Sequence, residues 1–266
     1  MSDFYVGYIQ KAPPALARFV RRVIVALAGL AMAVALVLVV AQMRFDASAF
    51  EYGKLRTFEG TVALQPYPTL LIARPGEVEE GERNSQYLLV APGKHGGGEL
   101  LADFDRKLVR LQGQLIHREG GTMVEVVPGS IVLADAAVPP TQDLVRDIGV
   151  VTVTGEIVDG KCYLGVMNPG KGKVHRDCAA RCLSGGIPPI FIANGIAPEG
   201  RDQFLLVGPD GNAMGRDSLR EFIAEPITIR GELLRRGDTQ LLRIEPQQLR
   251  HTPGGVPRTL TMSASR

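Results

Sequence analysis

Most of this chain is one design written twice, and that duplication limits the fold more than any other feature. Gln86-Tyr-Leu-Leu-Val-Ala-Pro-Gly93 is answered by Gln203-Phe-Leu-Leu-Val-Gly-Pro-Asp210, and Leu111 to Pro128 by Ile229 to Pro246, of equal length. The copies also begin alike, with Phe58-Glu-Gly-Thr-Val62 against Val153-Thr-Gly-Glu-Ile157-Val158. Within each copy apolar residues alternate over short runs broken by Gly or Asp, the pattern of strands and hairpins. One helix signal interrupts them: Ser218-Leu-Arg-Glu221 has the form of a capping box, opening a helix to about Glu225 with Leu219, Phe222 and Ile223 on one face. Strands, a helix, then a Gly-centred hairpin is the order of a five-stranded Greek-key barrel of the OB type. The expected fold is mainly β: an N-terminal transmembrane helix, then two tandem OB-like five-stranded barrels with short helices.

The helix expectation comes from Val23 to Met43, a run without a charged residue and long enough to cross a hydrocarbon core. A cleavable signal peptide is the alternative, with Ala47-Ser-Ala49 as the small-x-small site, but the run exceeds a signal core, and Arg44 and Asp46 intervene. Lys11, Arg18, Arg21 and Arg22 precede the run and Arg44 follows it, which places the amino end in the cytoplasm and the bulk outside. The expected organisation is a cytoplasmic segment over 1–22, a transmembrane helix over 23–43, a first OB-like domain over 47–134 and a linker over 135–147. A second OB-like domain follows over 148–249, with an insertion at 161–190, then a flexible tail over 250–266.

All three cysteines lie in that insertion, together with one of the four histidines. A helix over 174–184, with Asp177 in its first turn and Gly185-Gly186 after it, would set His175, Cys178 and Cys182 at i, i+3 and i+7 on one face. Cys162 would be brought in by the fold. Three sulfurs and an imidazole form a tetrahedral set for Zn or Cu(I), with Met167 as an outer thioether ligand. Lys161, Lys171, Lys173, Arg176 and Arg181 surround the set with positive charge, which favours thiolates and offers a docking or anion-binding surface. Two plainer readings stand beside this one. Val174, Cys178 and Cys182 could be the buried stripe of a short helix, or Cys162 could form a disulfide with Cys178 or Cys182 that staples the insertion to the barrel. An oxidising periplasm favours the bridge.

A strand bearing a cysteine, then His-x-x-Cys-x-x-x-Cys and a Gly-Pro loop, resembles a scattered set of uncharacterised bacterial OB-like small-barrel proteins, some membrane-tethered. The resemblance covers residues 150–248 and implies the fold and the site more than any chemistry. A closely spaced cysteine pair is also similar to those of copper-delivery proteins and dinuclear copper domains of respiratory assembly, in ligand type alone, because here the histidine precedes the pair. The resulting expectation is a single-pass protein of the bacterial inner membrane, its bulk periplasmic. It would serve as an accessory or assembly subunit of a membrane protein complex with redox function. A non-catalytic interaction module is the alternative.

Other classes find less support. Gly165 to Lys171 begins like a phosphate loop, but Gly172 stands where Ser or Thr must hold magnesium. No Ser, His and acid combination marks an enzyme. With no Trp, few strand aromatics (Tyr87, Tyr163, Phe191, Phe204) and a net charge of +2, no nucleic-acid partner is expected. His95, His117 and His251 read as exposed loop residues.

Overall fold

The structure is a computed structural model that describes residues 12–42, 48–74, 84–118, 120–134, 145–194, 202–252 and 261–263. The chain divides into two compact units, residues 1–46 and 47–266.

The first unit contributes helix α1, Pro14–Gln42. It begins earlier than the apolar run alone suggested, because Pro14 is preorganised for a first helical turn and Arg18, Arg21 and Arg22 are good helix formers. The helix is long and apolar enough to cross a membrane, a test that a signal sequence also passes. Its apolar side chains, among them Val25, Leu30, Met32 and Leu36, are exposed. Residues 1–11 of the expected cytoplasmic segment lie outside the described residues.

The second unit holds both barrels. The first is built from β1 (Ser48–Phe50), β2 (Arg56–Ala63), β3 (Thr69–Ala73), β4 (Asn84–Val90), helix α2 (Gly98–Leu101), β5 (Leu108–Arg118), β6 (Gly121–Val126) and β7 (Val132–Leu133). Its ring runs β2-β3-β4-β6-β5 and closes on β2. Pairing is antiparallel except between β4 and β6, where Leu88 faces Met123 and Leu89 faces Val124. The alternation along β5, with Val109 and Leu111 buried and Arg110 and Gln112 exposed, puts every second side chain inside. There Val62, Leu70, Leu89, Leu101, Val109, Leu111, Val124 and Val126 form the core.

The second barrel repeats the ring with β8 (Val145–Asp159), α3 (Arg176–Ser184), β9 (Pro189–Ala193), β10 (Gln203–Val207), α4 (Arg216–Leu219), β11 (Ile227–Arg236) and β12 (Thr239–Arg243). β8-β9-β10-β12-β11 closes on β8, and β10 and β12 form the parallel pair. The chain thus has two closed five-stranded barrels of OB topology, with the matching segments Leu111–Pro128 and Ile229–Pro246 forming equivalent hairpins.

Local differences from the sequence reading have local causes. Helix α4 starts two residues before Ser218, whose hydroxyl donates to Gly215 O at 2.6 Å, so the capping box does not form. A 3-10 turn over Arg220–Phe222 and a positive φ at Ala224 then stop the helix short. The first barrel has its own helix, α2, which lacks a side-chain cap and so left no signal. The supposed loose tail is strand at both described ends: β13 (Leu249–His251) pairs with β11, and β14 (Thr261–Ser263) pairs with β8. Of the expected linker, 135–144 lies outside the described residues, and Val145 to Asp147 already belong to β8.

A separate apolar cluster joins the barrels: Tyr67, Val90, Ile116 and Met123 from the first interlock with Val158, Tyr163, Leu164, Ile187, Ile190 and Leu205 from the second, and Cys162 and Cys182 lie among them. Polar contacts fix the register of this seam. Tyr67 Oη donates to Leu206 O at 2.8 Å and accepts the Met214 N–H at 3.2 Å. Arg74 pairs with Asp238 at 2.8 Å. Arg118 donates to Tyr163 O at 2.8 Å and lies 4.2 Å above the Tyr163 ring, a cation–π contact.

Candidate metal and thiol site

The insertion leaves the second barrel between β8 and β9. At the end of β8, Asp159 Oδ1 accepts the Cys162 N–H at 2.8 Å, which starts a π turn over Cys162–Val166. That turn presses so closely on the first barrel that a Cβ at Gly165 would sit 2.4 Å from Ala49 O. The chain then forms a 3-10 turn over Lys173–His175 and enters α3. The end of α3 has a left-handed residue, Gly186 (φ 94°), and Gly185, Gly186 and Ile187 N–H groups satisfy the last carbonyls.

The helix end meets a loop of the first barrel backbone to backbone. Gly96 N donates to Gly185 O at 2.9 Å, and a Cβ at Gly185 would lie 1.8 Å from Lys94 O. Only glycine permits that approach, and it carries Lys94 over the cysteines. Lys94 Nζ lies 2.8 Å from Cys178 Sγ and 3.6 Å from Cys182 Sγ.

The three thiols are free and converge: Cys162 Sγ is 4.0 Å from both Cys178 Sγ and Cys182 Sγ, and all three sulfurs are within 4.8 Å of one another. Cys162 and Cys182 are buried, whereas Cys178 is half-buried at the mouth. The Cys162 S–H stabilises a Cys182 thiolate, and Lys94 adds to this against the cost of burial, so the Cys182 pKa falls to about 7. Cys162 moves the other way, held protonated by its bond to Cys182, by burial and by the Asp159 carboxylate. The hydrogen bond to Cys178 likewise raises Lys94. The cluster thus shares protons among its sulfurs and keeps an ammonium beside them.

Sulfurs about 4 Å apart can each stand about 2.3 Å from one central ion, the Zn–thiolate distance. A disulfide needs about 2.05 Å, roughly half the present separation, so either bridge would require a side-chain rotation. The cluster can therefore hold a metal ion with less movement of its sulfurs than a bridge requires.

Not every expected group joins it. His175 is buried on the same side of α3, but its Nε2 lies 2.9 Å from Asp159 Oδ2, and it belongs with Asp159 and Cys162 in a second group rather than with all three sulfurs. Met167 is 43% exposed, outside the buried cluster. Val174, expected on a buried stripe, is 88% exposed, because the 3-10 turn rotates it away from the face that carries the cysteines. Lys161 offers no docking or anion-binding surface: it is 3% exposed, paired with Glu125 and donating to Ala91 O at 2.9 Å and Gly93 O at 2.7 Å. Lys171, Lys173, Arg176 and Arg181 are exposed; Glu225 pairs with Arg176 at 2.6 Å and Lys173 at 3.6 Å. The cation at the sulfurs is instead Lys94, from the other barrel.

Two groups escaped the sequence reading. Lys94 is remote in the chain and carries no motif. Asp159 did leave a signal, since aligning Gly155 with Gly60 sets it against Leu64 of the first copy, a carboxylate where the duplicate has an aliphatic side chain. No family model matches the chain, and neither a curated protein nor a solved structure is detectably similar to it.

Proposed function

We propose that this is a membrane-anchored metal protein in which Cys162, Cys178 and Cys182 bind one soft or borderline ion, Zn(II) or Cu(I), and which serves as an accessory or assembly subunit of a bacterial membrane redox complex. The observation that carries the reading is the convergence of three free sulfurs within 4.8 Å of one another. Sulfur-rich sites select such ions, and a thiolate held near neutral pH is ready to bind them without first losing a proton at high cost. Cys178, the half-buried sulfur, is the point of access, with Lys94 as the counter-ion that the metal displaces. Lys11, Arg18, Arg21 and Arg22, which precede the apolar run, support an inner-membrane location with the amino end cytoplasmic and the barrels periplasmic, where assembly factors for redox complexes work. Outside the membrane, barrel surfaces rather than nucleic acid would meet the partner.

The test is metal analysis of the full-length protein purified anaerobically, beside mass mapping of its thiols. The expected result is stoichiometric metal that is lost from the sulfur cluster in Cys178→Ser and Cys182→Ser. A quantitative disulfide from Cys162 with no bound metal would overturn the proposal in favour of a stapled interaction module. Alkylation of Cys178 by a membrane-impermeant reagent in whole spheroplasts tests the orientation: labelling supports periplasmic barrels, and labelling only after lysis refutes them.

A further inference from the structure

Cys162 faces two ways. Its sulfur, a carboxylate oxygen of Asp159 and a ring nitrogen of His175 lie within 4.8 Å of one another, a second group of metal-ligating atoms that shares one member with the first. Asp159, Cys162 and His175 are 0%, 4% and 3% exposed, so this group is closed off from solvent. The first barrel, with only a short loop at this place, has Leu64 where the second has Asp159.

The pair is already oriented for an ion. Asp159 Oδ1 is held by the Cys162 N–H at 2.8 Å, which turns Oδ2 toward His175 Nε2, 2.9 Å away. Around an ion with metal–oxygen and metal–nitrogen distances of about 2.1 Å, those two atoms would stand about 3.4 Å apart. A widening of about half an ångström would therefore admit one.

We infer that Asp159, Cys162 and His175 form a second metal site, and that the Cys162 thiolate bridges its ion to the one on Cys178 and Cys182. This rests on the sulfur cluster holding an ion of its own. The mixed oxygen, nitrogen and sulfur donors of the second site suit Zn(II) better than Cu(I), which makes a two-zinc centre the consistent filling. Cys162 then becomes the ligand common to both ions, and the end of β8 and both ends of the insertion are tied through it.

Metal-free full-length protein in detergent, kept anaerobic, is titrated with Zn(II) and, for its spectrum, with Co(II). Wild type is expected to take two equivalents, and Asp159→Asn and His175→Gln one each, with the remaining ion still on the sulfurs. X-ray absorption at the zinc edge of the unmutated protein is expected to show metal–metal scattering, a readout that needs no variant to fold. One equivalent in wild type, unchanged in both variants and without metal–metal scattering, overturns the second site and leaves the sulfur site standing. One equivalent that His175→Gln removes also overturns it, by placing His175 on a single ion. No binding at all refutes both readings.

Discussion

The two barrels close the same ring with the same hairpins, yet they join their first two ring strands differently. In the first barrel residues 64–68 suffice between β2 and β3, whereas in the second residues 160–188 run between β8 and β9 and carry every cysteine. The comparison separates scaffold from site. A ring that closes without the insertion is free to carry one, and the cysteine-free copy supplies the lid: its loop brings Lys94 to the sulfurs, and its Glu125 neutralises Lys161. The site belongs to neither barrel alone.

If that account is correct, damage at the buried contacts of the seam should exceed damage at equivalent places elsewhere on either barrel. The largest effect is expected from Glu125→Leu, which leaves the Lys161 ammonium buried with only the Ala91 and Gly93 carbonyls as partners. Removing one member of a buried pair costs about 3–5 kcal/mol. Denaturant unfolding of the metal-free protein measures it, and Glu125→Leu combined with Lys161→Met should recover much of the loss. A cost below about 1 kcal/mol for the single variant would mean that the barrels do not depend on this contact.

Gly185→Ala comes next, at about 3 kcal/mol, because the new methyl meets the Lys94 carbonyl where neither backbone can give way. Gly129→Ala, at a turn whose Cβ position is open space, should cost only the strain of its positive φ, about 1 kcal/mol. Tyr67→Phe should follow at about 2 kcal/mol, since it strips the hydroxyl from the buried Leu206 carbonyl and Met214 amide. Equal losses for Gly185→Ala and Gly129→Ala would erase the distinction between seam and surface.

How far these contacts could be read in advance depends on the range of the force that makes them. The rings were legible because alternation in segments such as Val109 to Gly113 and the repeated hairpins are local patterns, and so was α3, whose Gly185-Gly186 stop is written beside it. The convergence of Cys162 with Cys178 and Cys182 was suggested by ligand type, since the intervening turns leave no periodic trace. Lys161 and Val174 exchanged their expected places for reasons no spacing encodes: a carboxylate from the other copy draws the lysine inward, and a 3-10 turn points the valine outward. Lys94 was illegible because its partner lies across a seam that forms only when both barrels are folded.

The smallest expected effect on stability, and the most direct on chemistry, is that of Lys94→Met. The lysine is exposed and its contacts are to sulfur at the mouth of the cluster, so folding should change by no more than about 0.5 kcal/mol. Thiolate absorbance in the metal-free protein should move instead. With a pKa lowered to about 7, Cys182 is a thiolate above that pH, and the stability it contributes is complete above its unfolded value near 9.0 and lost as pH falls through about 7. Without the ammonium the midpoint should rise, but only part of the way back, because the larger cause is the hydrogen bond from Cys162. Cys162→Ala should therefore raise it further than Lys94→Met does. The opposite ranking would make the first barrel's lysine, and not the neighbouring thiol of the insertion, the main source of the thiolate, and the copy without cysteines would then govern the chemistry of the copy that holds them.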